Sequence, residues 1–193
     1  MQKKFLTATE LDAMLPNQAV ILDLGCGGKK LSLPSHQVIG LDHRQGPGVD
    51  FAFNLAEETL PFDSNSVDLV FSNHFVEHLT YSERVHVFFE VQRVLKVGGI
   101  FVFNVPHFTS FYITAFDHKG INFGHATVWA LQNALTYSLN IPHFKAQSIG
   151  LRARIGKSSS IDPLLNMSFR FSERYLHTIC GGIDEIQFCL EKP

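Results

Sequence analysis

The chain has 193 residues, of which 45% are hydrophobic and 18% are charged. This length and composition predict one globular domain, residues 1–193, built around a single hydrophobic core. The 16 Lys and Arg residues are balanced by 18 Asp and Glu residues, which leaves a formal charge of −2. That balance excludes a protein that binds nucleic acid through bulk positive charge, so we expect no nucleic-acid partner.

The cysteines and the N-terminus both favour the cytoplasm. Three cysteines (Cys26, Cys180 and Cys189) are too few for a disulfide framework and suit a reducing compartment. The first residues, MQKKFLTATELDAML, are too polar for a signal peptide. No apolar run approaches the roughly 18 residues of a membrane span. We therefore expect a cytoplasmic protein with no membrane partner.

The spacing of the apolar residues predicts strands that alternate with helices or short crossovers. In chain order these are a helix over 4–15, a strand within 19–28, strands over 37–42, 49–55 and 66–72, a helix over 80–95 with Thr80 as N-cap, a strand over 100–106, a helix over 126–139, a strand over 145–155, a short helix around 164–178 and a final strand over 183–191. Because the strands are apolar on both faces, they predict an open, largely parallel α/β sheet that is covered on both sides.

The loop after the first predicted strand, Asp23-Leu24-Gly25-Cys26-Gly27-Gly28, carries the strongest chemical signal. Ligands of open α/β sheets bind at this edge, and glycines there let backbone amides approach a ligand. A dinucleotide fingerprint, G-x-G-x-x-G, would need a glycine at position 30, where the chain has Lys30. The spacing therefore argues against a nicotinamide-dependent reductase.

Two acidic residues at strand tips indicate a different ligand. Asp23 would repel a pyrophosphate but attract an ammonium or sulfonium group. Asp42, at the tip of the second strand, suits hydrogen bonds to a ribose diol. A ribose with a cationic amino-acid tail and no phosphate describes S-adenosylmethionine. In the alternative interpretation, Asp23 caps the turn and Asp42 caps a helix.

Three blocks of the sequence resemble the class I S-adenosylmethionine-dependent methyltransferases, and more narrowly the small bacterial type of the UbiE/methyltransferase 11 group. They are ILDLGCGG (21–28), LPFDSNSVDLVFSNHFVEHL (60–79) and VQRVLKVGGIFVFNVP (91–106). The resemblance implies a Rossmann-like, doubly wound sheet of seven strands, mostly parallel with an antiparallel last strand. It also implies S-adenosylmethionine as the cofactor.

The same resemblance implies which residues bind that cofactor. The loop residues would line its methionine part, Asp42 would bind the ribose and His43 would flank the adenosine. Asn54 stands where the family usually has an acid, so a neutral carbonyl would receive the adenine amino group. Asn73 and His74 would face the methionine and the reacting methyl. The full set is Asp23, Gly25, Cys26, Gly27, Asp42, His43, Asn54, Leu55, Asn73 and His74.

The segment after the glycines departs from the family. It is short and contains Pro34, whereas the family has a full helix there. We therefore expect one face of the cofactor site to be thinly covered.

A metal site is the competing interpretation of His74-Phe75-Val76-Glu77-His78, which matches the zinc-peptidase pattern H-x-x-E-H. His74 is expected in a loop or a first helical turn. The other histidines, among them His107 and His118, are expected on the far side of another strand, so no third ligand is identified. We therefore expect no metal. The chain also lacks a G-x-S-x-G elbow, which argues against serine hydrolysis.

The segment 106–126 follows the fifth predicted strand and is expected to form a lid over the reacting methyl. Its available bases are His107, Asp117, His118 and His125, with Tyr112 a weaker candidate. His107 is the first choice as a catalytic base, and the alternative is that these side chains only hold the loop together. The sequence thus predicts a methyltransferase acting on an unidentified small molecule. The alternative is a non-catalytic S-adenosylmethionine-binding regulatory or partner subunit; neither the oligomeric state nor the acceptor is specified.

Overall fold

The computed structural model describes residues 2–3, 5–110, 117–119, 125–135, 138–153 and 183–193. The strands are β1 (Gln2–Lys3), β2 (Val20–Leu24), β3 (Gln37–Asp42), β4 (Phe51–Ala52), β5 (Val67–Asn73), β6 (Leu95–Pro106), β7 (Lys145–Ala153) and β8 (Ile183–Glu191). The helices are α1 (Ala8–Met14), a 3-10 helix (Val76–His78), α2 (Tyr81–Val94) and α3 (His125–Gln132).

The strands form one sheet in the order β1-β7-β8-β6-β5-β2-β3-β4. Every neighbouring pair is parallel except those of β8, which runs antiparallel to both β6 and β7. The predicted fold class is therefore confirmed, with the seven predicted strands in place and the two-residue β1 as an unpredicted edge strand. The chain order reverses between β2 and β5, which is where ligands of such sheets bind.

Apolar side chains cover both faces of the sheet, because alternate residues of a strand point to opposite faces. Leu22 of β2 belongs to the larger core cluster, whereas its neighbour Ile21 belongs to the smaller cluster. Phenylalanines fill the larger cluster: the ring of Phe103 lies 4.9 Å from that of Phe101 and 4.7 Å from that of Phe188, between centroids. Some of the chain's 18 phenylalanines thus lie in the core.

Several predicted boundaries shift. The third predicted strand, 49–55, shrinks to β4, whereas the fifth begins at Leu95, directly after α2, and not at residue 100. The Thr80 cap is confirmed, since its side chain and that of Glu83 each accept a backbone N–H of the other residue. The predicted helix around 164–178 lies outside the described residues, as does most of the expected lid.

No helix connects β2 to β3, as the composition of that segment predicted. A buried carboxylate holds the segment instead: Leu31 donates its backbone N–H to Asp23 Oδ2 at 2.6 Å, and Asp23 is only 3% exposed. Burial raises the pKa of Asp23 to about 6, against smaller lowering effects of the Leu31 hydrogen bond and the Lys30 charge. A second carboxylate, that of Asp50, accepts from Lys30 Nζ and from the Gly40 N–H.

None of the helices in the described part of the chain has both the length and the apolar character that crossing a bilayer requires.

The raised pKa of Asp23 predicts a stability difference that depends on pH. A folded-state pKa above the unfolded one favours the native state at low pH, and this contribution is lost as pH rises from about 4 to about 6. We expect Asp23→Asn to gain stability relative to the wild type over that window. The gain is about 3 kcal/mol at most and constant above about pH 7. Urea unfolding at several pH values measures it.

The matched control is Asp50→Asn. The hydrogen bond from Lys30 holds the pKa of Asp50 below its usual value, so this variant should lose stability at neutral pH and approach the wild type as pH falls. A pH-independent difference for Asp23→Asn would show that its carboxylate is not desolvated.

Candidate functional site

A tight turn at the end of β2 fixes the floor of the candidate site. Gly25 and Gly27 have φ angles of +67° and +55°, a left-handed conformation that favours glycine. The backbone N–H groups of Gly25 and Cys26 both donate to the Leu41 carbonyl, at 2.8 and 3.1 Å. A Cβ on Gly25 would lie 2.6 Å from Cβ of Phe75. The turn is therefore pinned between the tip of β3 and the segment after β5.

A cavity of about 310 Å³, which we call the loop cavity, opens beside this turn, where the strand order reverses. Five of the ten residues predicted to bind the cofactor line it, which supports their grouping: Gly25, Asp42, His43, Asn54 and Leu55. The other lining residues were not predicted: Ala56, Phe75, His78, Leu79, Glu83 and Lys119.

Asp42 stands at the tip of β3 with 13% of its side chain exposed. Its Oδ2 accepts the N–H of Gly27 and its Oδ1 accepts the N–H of Arg44, both at 3.0 Å. Nδ1 of the exposed His43 lies 3.1 Å from the same Oδ1. Because an ionised carboxylate offers about four acceptor positions, Asp42 ties two loops together and keeps capacity for ligand hydroxyls.

Two predicted residues lie behind the turn and are not among the residues that line the loop cavity. Asp23 is buried and caps the segment at Leu31, as in the alternative interpretation of the sequence. Cys26 packs with its Sγ 3.7 Å from the carbonyl oxygens of Gly27 and Gly48. Burial raises the pKa of its thiol to about 11, so the thiol is protonated at neutral pH. Both residues shape the loop from beneath.

Asn54 is exposed, and its side chain closes a local turn. Its Oδ1 accepts the N–H of Ala56 at 3.2 Å, and its own N–H donates to Oε1 of Glu58 at 2.7 Å. One lone pair of the side-chain carbonyl stays available, so the predicted hydrogen bond to an adenine amino group fits this geometry. Leu55 beside it is buried and supplies an apolar wall.

A second cavity, of about 330 Å³, adjoins the loop cavity, because His78 lines both. We call it the acidic cavity, since three carboxylates line it, those of Glu77, Asp184 and Glu185. Its remaining lining residues are His74, His78, Pro106, Ser110 and His118.

His74 lines the acidic cavity and bridges two of those carboxylates. Its Nδ1 lies 3.0 Å from Oε1 of Glu77, and its Nε2 lies 2.8 Å from Oε1 of Glu185. Hydrogen bonds to Glu185 and Glu77 raise the pKa of His74 to about 10. At neutral pH the ring is therefore an imidazolium with both N–H groups in use. The preceding residue, Asn73, is exposed at the end of β5 and accepts from Asn104 Nδ2 at 2.9 Å.

The predicted bases are scattered. His107 is fully buried, its Nδ1 lies 2.8 Å from the Thr109 hydroxyl, and it lines neither cavity. Asp117 is exposed beside His78, with its Oδ2 3.4 Å from Nδ1 of that residue. His125 begins α3, and Tyr112 lies outside the described residues. A base role for His107 stays a prediction that its surroundings do not favour.

One expectation about this region is wrong. His118 does not lie across another strand from the H-x-x-E-H segment: its ring centroid is 4.9 Å from that of His78. The reason is that residues 117–119 lie against the 3-10 helix, where Lys119 donates its backbone N–H to the Glu77 carbonyl at 2.8 Å.

Sequence reasoning also missed Asp184 and Glu185. They stand at the start of β8, where Glu185 pairs with Pro106 in the antiparallel register. That register carries their side chains to the edge at which the parallel strands end. The adjacent acids in IDEIQ were the available signal in the sequence. Their position at this edge of the sheet follows only from the register of β8.

Comparisons with known proteins agree with this fold. Residues 22–103 match a family model described as "Methyltransferase domain". No curated protein matches the chain. A crystal structure of a SAM-dependent methyltransferase from Archaeoglobus fulgidus is 16% identical with a TM-score of 0.61, and the match covers 96% of this chain and 95% of that one.

Two further solved structures are similar. The 1,6-didemethyltoxoflavin-N1-methyltransferase of Burkholderia thailandensis, with bound 1,6-didemethyltoxoflavin and S-adenosylhomocysteine, is 14% identical (TM-score 0.61, 96% of this chain and 76% of that chain). A complex of the Trm112 methyltransferase activator of Haloferax volcanii with a methyltransferase gives 19% identity (TM-score 0.59, 97% and 89%).

The family model covers the segment from β2 into β6, which includes the glycine turn, Asp42 and the H-x-x-E-H segment. The sheet order with an antiparallel β8 agrees with the fold of the similar structures. Residues 22–103 are therefore similar to the methyltransferase domain family, and the described sheet has the fold of the similar SAM-dependent methyltransferase structures.

Proposed function

We propose that the protein transfers the methyl group of S-adenosylmethionine to a small-molecule acceptor. The observation that carries this proposal is the loop cavity itself, which has a glycine turn for its floor and Asp42 at its rim. The narrower UbiE-like grouping, the cytoplasmic location and the absence of a nucleic-acid partner remain predictions from the sequence.

The residues around the loop cavity fit this cofactor. A Cβ added at Gly27 or Gly28 would have no protein atom within 4 Å, so the backbone of the turn is open to a ligand. Asp42 supplies acceptors for ribose hydroxyls, and the buried Asp23 adds negative potential beneath the turn at neutral pH. Among the described residues that line this cavity, Lys119 is the one lysine or arginine, and its Nζ lies 3.7 Å from Glu83. A pyrophosphate would therefore meet more acidic than basic groups.

The acidic cavity supports an acceptor site beside the cofactor. When bound, S-adenosylmethionine supplies an electrophilic methyl group on a sulfonium. Alignment of two bound molecules through the shared His78 boundary would provide much of the rate enhancement, because an in-line displacement depends on orientation.

We do not propose His74 as the base that removes a proton from the acceptor. Its two nitrogens are held by Glu77 and Glu185, and the raised pKa leaves no free lone pair near neutral pH. An acceptor whose nucleophilic atom needs no deprotonation therefore suits this cavity best. His74 instead holds the two carboxylates in place, which makes it a positioning residue.

The ribose assignment of Asp42 gives a binding test. Asp42→Asn keeps one oxygen for the Gly27 N–H but removes the charge, so we expect the affinity for S-adenosylhomocysteine to fall by roughly 1–3 kcal/mol. Isothermal titration measures the change. The 2′-deoxy analogue of the same ligand should bind the wild type more weakly than the parent compound, and the variant should discriminate less between the two.

Asp50→Asn is the control for that experiment, because Asp50 also ties this region through Gly40 and Lys30 but does not line the loop cavity. Equal discrimination between parent and 2′-deoxy ligand in the wild type and in Asp42→Asn would remove the ribose assignment.

Turnover separates an enzyme from a binding subunit. We expect radiolabelled methyl from S-adenosylmethionine to appear in one or more members of a small-metabolite panel, together with stoichiometric S-adenosylhomocysteine. The rate at subsaturating cofactor should drop in Asp42→Asn by about the factor seen in binding. Tight cofactor binding without product across the panel would instead favour the non-catalytic alternative.

A further inference from the structure

Three potential metal ligands meet at the wall of the acidic cavity: Glu77, His78 and His118. Each offers one ligand atom, and the three atoms all lie within 4.8 Å of one another. Glu77 is 1% exposed, and both histidines are partly buried. The expectation of no metal depended on the lack of a third ligand, and His118 supplies one.

Two polar atoms of this cluster are buried without a hydrogen-bond partner, namely Glu77 Oε2 and His118 Nδ1. A buried carboxylate oxygen left unpaired is costly, because its hydration is lost and nothing replaces it. The other oxygen of Glu77, Oε1, is already held by His74 at 3.0 Å. A single cation bound here would accept lone pairs from both kinds of unpaired atom, a carboxylate oxygen and an imidazole nitrogen.

The groups around the cluster are arranged as supports for ligands. Nδ1 of His78 lies 3.3 Å from the Asp117 carbonyl oxygen and 3.4 Å from its carboxylate, which leaves Nε2 of that ring for a ligand bond. Lys119 donates its N–H to the Glu77 carbonyl, so the chain on either side of His118 is fastened to the 3-10 helix. Partners of this kind orient metal-binding histidines and carboxylates in proteins.

We propose that Glu77, His78 and His118 form a binding site for Zn²⁺, open on one side to the acidic cavity. Two imidazoles and one carboxylate are a donor set that favours zinc and similar transition metals over Mg²⁺. Three protein ligands leave the fourth tetrahedral position for water or for an acceptor atom. His74 is not a ligand in this site, so the H-x-x-E-H pattern marks the correct segment of the chain but not the correct set of ligands.

The site does not depend on methyl transfer. Its lining is shared with the proposed acceptor cavity, yet metal binding is measured without cofactor or acceptor. Failure of one proposal therefore leaves the other standing.

The experiment uses the full chain without an affinity tag, stripped with a chelator and titrated with Zn²⁺ against a chromophoric competitor. We expect one Zn²⁺ per chain in the wild type. His118→Ala and Glu77→Gln should each lower the affinity by at least about 10–100-fold, the loss that removal of even an outer-shell partner causes. Co²⁺ should give an intense visible absorption of low coordination number in the wild type and not in His118→Ala.

His86→Ala is the matched control, because His86 lies on α2 with its Nε2 bonded to the Glu58 carbonyl and takes no part in the cluster. It should bind Zn²⁺ like the wild type. Circular dichroism verifies the fold of each variant; should Glu77→Gln fail to fold, His118→Ala decides alone. Unchanged stoichiometry and affinity in folded His118→Ala would overturn the proposal, as would binding of Mg²⁺ but not Zn²⁺ by the wild type.

Discussion

The arrangement of the whole site depends on the steric fit of the turn at Gly25. Its left-handed backbone brings two N–H groups onto the Leu41 carbonyl, and Phe75 fills the space that any Cβ would need. Three segments are thereby locked together: the end of β2, the end of β3 and the segment after β5. The side chain of Cys26 does not line the loop cavity, so neighbouring residues shape that cavity. Asp42, at its rim, accepts the backbone N–H of Gly27.

Charge pairing organises the acidic cavity in the way that sterics organise the turn. His74 hydrogen-bonds both to Glu77 and to Glu185, which lies 111 residues after His74 in the chain. Nη1 of Arg152 lies 2.7 Å from the same Glu185. Burial on its own would raise the pKa of Glu185, but the hydrogen bonds and charges of His74 and Arg152 together outweigh burial and lower it. The cationic partners thus keep this carboxylate ionised at the acidic cavity. Without a bound cation, the carboxylates that line this cavity would repel an anionic ligand.

Local sequence patterns predicted most of the fold and about half of the residues that line the loop cavity. The strands were recognisable because each is a short apolar run, and Asp42 was recognisable because it ends one of them. The residues of the acidic cavity could not be grouped from the sequence for a physical reason. Glu185 reaches His74 only through the antiparallel register of β8, and the contact of His118 with His78 leaves no periodic signal in the sequence. The sequence places residues on elements, whereas contacts between distant elements depend on register and loop path.

The missing helix between β2 and β3 explains why carboxylates near the turn accept backbone N–H groups of this region. A helix would satisfy its own backbone and present N–H groups at its first turn. Here Asp23 accepts the N–H of Leu31, and Asp50 accepts that of Gly40 together with the Lys30 ammonium. Burying Asp23 raises its pKa and costs stability at neutral pH, a cost that an ordinary turn cap at the surface would avoid. The ionised carboxylate beneath the glycine turn is nevertheless the arrangement that favours a positively charged ligand above it. The short connection therefore lacks the hydrogen bonds of a helix but places negative potential at the floor of the loop cavity.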